Sequence, residues 1–233
     1  MTRIVIADLG TGNLRSVSKA LACVSSDTEV SITAQADAIE SADYLVLPGQ
    51  GAIGTWFNQL NSNIALKTAV SKRLNDGPVL GICLGLEALY DHSEENGGTQ
   101  ALGILSGRVK HFSTHPKHQI EGQTNDGQTN EGQTNEGKAG RLKIPHMGWN
   151  QVNKCVDHPL WHGIDDNERF YFVHSYYVES DIKNQVMGEC RYGNRFTAAA
   201  GSRNIFATQF HPEKSQHAGL QMLKNFINWN GSF

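Results

Sequence analysis

A cysteine enclosed by two glycines is the residue of this sequence best suited to nucleophilic chemistry. Gly81-Ile82-Cys83-Leu84-Gly85 follows a short apolar run, Pro78 to Ile82, that predicts a strand, and it precedes a helical pattern. A sharp strand-to-helix turn strains its central residue, and side chains two positions away on either side would collide. The helix end favours a thiolate, and its free amides can bind an oxyanion. Buried cysteine is also common as a small apolar residue, but this context favours a nucleophile.

A thiol nucleophile needs a base, and His211 is the best candidate among ten histidines. It follows the predicted strand Ile205 to Phe210, in the tripeptide His211-Pro212-Glu213. Pro212 ends the strand, and Glu213 can accept a proton from the histidine ring. The sequence therefore predicts a nucleophile, a base and an orienting acid in the order Cys83, His211, Glu213. Alone, the tripeptide would more readily be a solvated turn.

A second glycine-rich turn, Pro48-Gly49-Gln50-Gly51, ends a predicted strand that should lie beside the cysteine turn. Glycines here would let the backbone approach a ligand and let a peptide plane rotate, which would offer a second N–H to an oxyanion. An ordinary strand-ending turn explains this motif equally well.

The remaining histidines and cysteines give little indication of a metal site, and no cofactor is expected. His111, His115 and His118 have ligand-like spacing, but Pro116 would break a helix that aligned them, and no acid or cysteine lies nearby. The other cysteines match no zinc or disulfide framework, and core packing is the expected role of Cys23, Cys155 and Cys190.

The elements that must position these residues alternate between short β-rich runs and helical patterns. Predicted strands run from Arg3 to Ala7, Thr28 to Thr33, Tyr44 to Leu47 and Pro78 to Ile82, with amphipathic helices between them. This alternation predicts an α/β fold with an open, mostly parallel central sheet and helices on both faces.

The second half is richer in β signals, which predict additional antiparallel strands at one side of the sheet. These strands are expected at Arg108 to Phe112, Arg169 to Val173, Gln185 to Glu189, Phe196 to Ala200 and Ile205 to Phe210, before a final amphipathic helix. We expect a single domain over residues 1–233. Residues 121–140 repeat a Gly-Gln-Thr-Asn-acid unit almost without apolar side chains, which indicates a low-complexity loop insertion.

Composition excludes several classes of protein. The 233 residues are 39% hydrophobic with a formal net charge of −3, which argues against disorder and gives no basic patch for nucleic acid. The apolar runs are too short to cross a bilayer, and Asp8 interrupts the first of them, so no signal peptide is expected. We expect a cytoplasmic globular protein.

Several motifs along nearly the whole chain resemble the class I (triad-type) glutamine amidotransferases. The cysteine turn and His-Pro-Glu are shared across that family, and Leu47-Pro48-Gly49-Gln50-Gly51 resembles its oxyanion strand. Four further motifs are similar to those of its imidazole glycerol phosphate synthase glutaminase subunits, above all Pro145-His146-Met147-Gly148-Trp149-Asn150. The remaining matching motifs are Asp8-Leu9-Gly10-Thr11-Gly12-Asn13-Leu14-Arg15-Ser16-Val17, Tyr171-Phe172-Val173-His174-Ser175-Tyr176 and Gln209-Phe210-His211-Pro212-Glu213-Lys214-Ser215.

The resemblance implies that the protein hydrolyses glutamine through a Cys83 thioester, with His211 as base and Glu213 as its orienting acid. The backbone N–H groups of Leu84 and, after a peptide rotation, Gln50 would form the oxyanion hole. Ammonia would pass to a (β/α)8-barrel cyclase subunit in a heterodimer of histidine biosynthesis. The chain would thus act as a hydrolase within a lyase complex.

The same resemblance assigns further residues by their position in the motifs. Those expected to bind the substrate are Gly49, Gly51, Glu87, His174, Ser175 and Tyr176. Those expected at the partner interface are Asn13, His146, Trp149, Tyr171 and Lys214. Glu87 stands where the family usually has glutamine, and a carboxylate there would repel the substrate's α-carboxylate.

Three other functions stay open on the sequence. The chain could supply ammonia to a surface-sugar amidotransferase, which Glu87 slightly favours. It could be a regulatory subunit that hydrolyses glutamine poorly, although the intact triad argues against this. A peptidase could use the same triad, but nothing in the sequence suggests a peptide groove.

Overall fold

The computed structural model describes residues 1–114 and 142–232. The predicted insertion at 121–140 and two of the three clustered histidines, His115 and His118, lie outside these ranges. The described helices are α1 (Leu14–Val24), α2 (Ala36–Glu40), α3 (Ile53–Ser62), α4 (Ile64–Asp76), α5 (Leu84–Glu87) and α6 (Gln216–Phe226).

Thirteen strands in the described ranges join into one sheet. In chain order they are β1 (Thr2–Ala7), β2 (Thr28–Thr33), β3 (Tyr44–Gly49), β4 (Val79–Cys83), β5 (His92–Ser93), β6 (Thr99–Gln100), β7 (Gly107–His111), β8 (His146–Lys154), β9 (Glu168–His174), β10 (Tyr176–Ser180), β11 (Val186–Tyr192), β12 (Asn194–Ser202) and β13 (Ile205–Thr208).

The centre of the sheet is a run of parallel strands in the order β2-β1-β3-β4-β13. Every residue of β4 and β13 is buried, as expected for parallel strands covered on both faces. Beyond β13 lies β12, which pairs antiparallel with β13, β10 and β11. The sheet continues from β10 through β7 and β5 to β6, and from β11 through β8 to β9. The predicted fold class is confirmed.

Helices cover the two faces of this sheet and bury alternate residues of the same strand. On β1, Ile4 and Ile6 pack with α1 and α6, whereas Val5 and Ala7 pack with α2, α3 and α4. This alternation is the period of two that a strand imposes on its side chains. The carboxyl ends of β3, β4 and β13 meet at one edge of the sheet, and that edge positions the candidate site.

Sequence reasoning missed β8, β10 and the short helix α2. In β8 only His146 and Val152 are buried, because the strand presents much of its length to solvent, so it lacks the apolar pattern that predicts a strand. The strand predicted from Ile205 to Phe210 ends earlier, at Thr208, whose hydroxyl donates to the Phe210 carbonyl at 2.9 Å.

The prediction that Cys23, Cys155 and Cys190 all pack in the core is wrong for two of them. Cys190 is buried, but Cys23 and Cys155 are exposed. Cys23 is two positions after Leu21 on α1, and a displacement of two positions on a helix turns a side chain away from the buried stripe that contains Val17 and Leu21.

No helix in the described ranges is long and apolar enough to span a membrane.

Candidate active site

Cys83 sits at the sharp turn between β4 and α5 with φ 54° and ψ −103°, a strained conformation for a residue other than glycine. The flanking glycines are required by space. A Cβ at Gly81 would lie 2.8 Å from the Cβ of Ala207, and a Cβ at Gly85 would overlap the Leu47 carbonyl oxygen. The structure therefore confirms the geometric explanation of the two glycines.

The candidate base and its acid are joined by a hydrogen bond in a buried turn. The His211 ring donates from Nδ1 to Glu213 Oε1 at 2.8 Å, and the two side chains are 2% and 1% exposed. Since Nδ1 holds the proton, Nε2 is the free acceptor, and it has no hydrogen-bond partner among the described residues. His211 therefore has the tautomer that could accept a thiol proton.

The strand β9 holds this turn in place. The His211 N–H donates to the Tyr171 carbonyl at 2.9 Å. The Tyr171 N–H donates to Ser215 Oγ at 3.0 Å, and that hydroxyl donates to the His211 carbonyl at 2.6 Å. The position of the candidate base is thus fixed by three hydrogen bonds, two of which join the Ser215 hydroxyl to backbone groups.

The two candidate oxyanion donors lie next to the nucleophile. Gly49 is the register partner of Cys83 across β3 and β4, so Gln50 is the first residue beyond that pair. The Leu84 N–H faces the Cys83 sulfur and stabilises its anionic form. The segment at Gly12 packs closely against Gln50, because a Cβ at Gly12 would lie 3.5 Å from the Gln50 nitrogen.

Burial, rather than the helix end, dominates the protonation of the nucleophile. Burial raises the pKa of the Cys83 thiol, and the charges of Glu87 and Glu213 raise it further. The Leu84 N–H and Gln209 act in the opposite direction but are smaller effects. Contrary to the expectation of a thiolate favoured by the helix, the resting group is a thiol, which must lose its proton as it attacks.

Gln209 is a site residue that sequence reasoning did not assign. It is fully buried, and its Nε2 donates to Glu87 Oε1 at 2.9 Å and lies 4.0 Å from Cys83 Sγ. The sequence signals were its place at the end of an apolar strand and at the start of the motif Gln209-Phe210-His211-Pro212-Glu213-Lys214-Ser215.

Glu87 lies in surroundings that disfavour a charged carboxylate. Its burial raises its pKa to about 8, with a smaller increase from the charge of Glu95 and a decrease from the Gln209 hydrogen bond. This raised pKa favours the protonated carboxyl at neutral pH, which would weaken the repulsion of a substrate carboxylate that the sequence led us to expect.

Three of the predicted substrate residues, His174, Ser175 and Tyr176, connect the end of β9 to the start of β10, and His174 forms a buried pair with His146. His174 Nδ1 donates to the Tyr176 carbonyl at 2.6 Å, so its Nε2 accepts from His146 Nδ1 at 2.8 Å. Burial lowers the pKa of His146 to about 4 and that of His174 well below its usual value. Both rings are neutral. Ser175 and Tyr176 are half-buried, and the Tyr176 phenol is close enough to Glu87 and Glu95 to feel their charges.

Four of the five predicted interface residues reach the surface. Trp149 is 41% exposed on β8 and packs edge-on against Tyr171 with ring centroids 6.1 Å apart. Lys214 Nζ lies 5.9 Å from the Tyr171 ring centroid, and Asn13 is exposed as the N-cap of α1. His146 is 4% exposed, so its side chain does not itself form a surface. We call Met147, Trp149, Tyr171 and Lys214 the aromatic patch.

Comparison with known proteins gives consistent results along the chain. A family model described as glutamine amidotransferase class-I matches residues 5–229. The imidazole glycerol phosphate synthase subunit HisH of Nitrosomonas europaea is 46% identical over 98% of this chain and 99% of that protein. HisH of Hydrogenovibrio crunogenus is 44% identical, over 98% of this chain and 97% of that protein.

Solved structures at lower identity support the fold alone. The PurLQS structure from Thermotoga maritima has a TM-score of 0.67 at 15% identity and covers 97% of this chain and 98% of its own. The glutaminase domain of Trypanosoma brucei CTPS, solved with bound acivicin, has a TM-score of 0.58 at 12% identity. It covers 99% of this chain and 95% of its own.

Proposed function

The chain belongs to the class-I glutamine amidotransferase family, and on that premise we propose that it is the glutaminase subunit of an imidazole glycerol phosphate synthase. The observation that carries this proposal is the identity of 43–46% to HisH proteins over nearly the whole chain. These relatives favour histidine biosynthesis over the surface-sugar alternative.

The proposed reaction begins when Cys83 Sγ attacks the side-chain amide carbon of glutamine. His211 Nε2 takes the thiol proton and then gives it to the departing nitrogen, which leaves as ammonia. Water, deprotonated by the same nitrogen of His211, attacks the glutamyl thioester and releases glutamate and the thiol. The hydrogen bond from Nδ1 to Glu213 supports this role, because it keeps Nε2 free and stabilises the imidazolium.

The oxyanion of each tetrahedral intermediate would accept from the N–H groups of Leu84 and Gln50. The position of Leu84 beside the sulfur supports the first donor, and the register pair of Gly49 with Cys83 supports the second. Because both donors are main-chain groups, the side chain of residue 50 is free to vary. Substrate-binding roles for Gly49, Gly51, Glu87, His174, Ser175 and Tyr176 belong to the same proposal.

Ammonia would be consumed by a cyclase subunit, for which we propose a (β/α)8 barrel in a cytoplasmic heterodimer. The cyclase would form imidazole glycerol phosphate and aminoimidazole carboxamide ribotide. The aromatic patch and Asn13 supply exposed groups for its docking. Tyr171 belongs to the patch and also accepts from the His211 backbone, so docking there would act on the segment that holds the base.

The test is glutamate release by the purified chain, measured alone and then with the cyclase in its nucleotide-bound form. We expect a low rate that rises sharply with the liganded cyclase. Cys83→Ala should abolish hydrolysis and keep cyclase binding, whereas Cys155→Ala, at an exposed cysteine, should retain the wild-type rate.

Three outcomes would contradict the proposal. Hydrolysis that survives in Cys83→Ala would exclude the nucleophile. A folded, cyclase-bound protein without hydrolysis would favour a regulatory subunit, and failure to complement a histidine auxotroph would favour a different pathway.

A further inference from the structure

Glu87 is a buried acid without a cation to neutralise it. It is the last residue of α5, four positions after Cys83, and is 4% exposed. Its hydrogen-bond donor is the neutral amide of Gln209. Within the part of the chain that the structure describes, no lysine, arginine or histidine lies within ion-pair distance of its carboxyl group.

Apart from the Gln209 amide, the groups around Glu87 are acids, and a negative charge on Glu87 would oppose the ionisation of each of them. The Cys83 thiol lies on one side, and its Sγ is 4.0 Å from the same Gln209 nitrogen that binds Glu87. Glu95, from the turn at Glu95–Gly97, and the Tyr176 phenol, from β10, face it from other elements. Glu213, which already acts on the thiol, adds a further carboxylate to the region.

The reaction itself adds negative charge to this region. Attack on an amide needs the sulfur as a thiolate, and Gln209 Nε2 contacts both that sulfur and the Glu87 carboxyl. The attack also creates an oxyanion on the carbon that the sulfur joins. A like charge in a buried site disfavours the ionised form of its neighbour. A neutral carboxyl avoids this conflict and, unlike a carboxylate, keeps an O–H that can donate to an anionic group of a ligand.

We propose that Glu87 carries a proton during glutamine hydrolysis and acts as a neutral positioning residue, and that loss of this proton slows the reaction at alkaline pH. The inference rests on the proposed function for its reaction. The raised pKa of Glu87, about 8, agrees with the geometry. In the neutral state Glu87 accepts from Gln209 and thereby holds that amide against the nucleophile.

The first test measures the Cys83 thiol without glutamine. The rate of Cys83 alkylation by iodoacetamide would be followed from pH 6 to 10 by peptide mass spectrometry, which separates it from exposed Cys23 and Cys155. In Glu87→Gln we expect alkylation to be about tenfold faster than in wild type at the alkaline end of this range, where Glu87 would be ionised, and equally fast at pH 6, where Glu87 would be protonated. Glu29→Gln, at an exposed glutamate, should match wild type.

The second test is the pH dependence of kcat/KM for glutamine with the cyclase bound. Wild type should lose activity above pH about 8, and Glu87→Gln should keep a constant fraction of its own pH 7 activity to higher pH. A structural role alone would lower activity at every pH and leave the profile unchanged. Difference infrared spectra of wild type against Glu87→Gln at pH 7 would show the protonated carboxyl directly.

The outcomes separate this inference from the proposed function. Equal alkylation rates of Cys83 in wild type and Glu87→Gln at alkaline pH, or a carboxylate band of Glu87 at pH 7, overturn the inference even if glutamine is hydrolysed. Absence of Cys83-dependent hydrolysis overturns the proposed function and leaves the alkylation result to decide the charge of Glu87. Melting curves of both glutamate variants establish that each is folded.

Discussion

At the scale of single residues, the two glutamates of the site differ in whether a group that can become cationic lies beside them. Glu213 faces the His211 ring at 2.8 Å and can remain charged when that ring becomes an imidazolium. Glu87 accepts a hydrogen bond from the neutral amide of Gln209 and has no cationic partner among the described residues, so its neutral form is favoured. Two glutamates close to one thiol therefore serve different roles because of their neighbours.

The protonation of Glu87 predicts a measurable effect on stability. Its pKa rises from an ordinary 4.5 to about 8 on folding, so between these values the folded state binds more protons than the unfolded state. Stability from this group is therefore lost as pH rises through that window. Glu87→Gln removes the loss, and its free energy of unfolding should exceed that of wild type by a few kcal/mol more at pH 8 than at pH 4.5. Urea denaturation at several pH values measures this difference, and a constant difference would contradict it.

Sequence reasoning at this scale reached the residues whose motifs are local. Cys83 and the His211–Glu213 pair could be predicted because a turn or a tripeptide specifies them. Gln209 and the neutral state of Glu87 could not, because both depend on burial and on contacts between segments 122 residues apart.

At the scale of elements, the turn between β4 and α5 requires residues without a side chain at Gly81 and Gly85. Gly85 approaches the Leu47 carbonyl so closely that any Cβ must displace the end of β3, which carries the predicted oxyanion segment. The geometry of the nucleophile and that of the oxyanion donors are therefore constrained by one contact.

This contact predicts different effects for two glycine substitutions. Gly85→Ala should destabilise the fold by several kcal/mol, because backbone has to move. Gly54→Ala, in the first turn of α3, places its Cβ in ordinary contact, 3.6 Å from Asn96 Nδ2, and should stabilise by up to about 1 kcal/mol. Thermal melting compares them, and equal effects would show that the contact at Gly85 is not limiting.

The parallel strands could be predicted because burial on both faces makes them continuous apolar runs. The strand β8 could not, since its exposed positions include Met147 and Trp149, which are 63% and 41% exposed. A strand that presents large apolar groups to solvent loses the alternation on which prediction relies.

At the scale of the whole molecule, burial favours the neutral form of three histidines in the described ranges, His146, His158 and His174. Burial lowers the pKa of His146 and His158 to about 4 and that of His174 well below its usual range. In the unfolded chain these rings would bind protons near the ordinary value of 6.5. Their contribution to stability is therefore present above pH 6.5 and is lost as pH falls toward 4.

His158→Asn tests this acid sensitivity. The His158 Nδ1 accepts from the Leu160 N–H at 3.1 Å, and an asparagine oxygen can cap the same turn without titrating. The variant should lose about 2–3 kcal/mol less stability than wild type between pH 7 and pH 4. His217→Asn, at an exposed histidine, is the control. Equal acid losses in all three proteins, measured by urea denaturation, would exclude the neutral state of His158.

The position of β13 in the sheet also sets the order in which the enzyme can be made. This last strand of the described chain inserts between β4 and β12, and Gln209 beyond it is 126 residues from Cys83. A chain emerging from the ribosome therefore carries its thiol long before the strand that brings the base and completes the sheet. On the proposed mechanism, nascent and truncated chains that end before β13 lack His211 and would be inert toward glutamine, so ammonia release would begin only after this strand has joined the sheet.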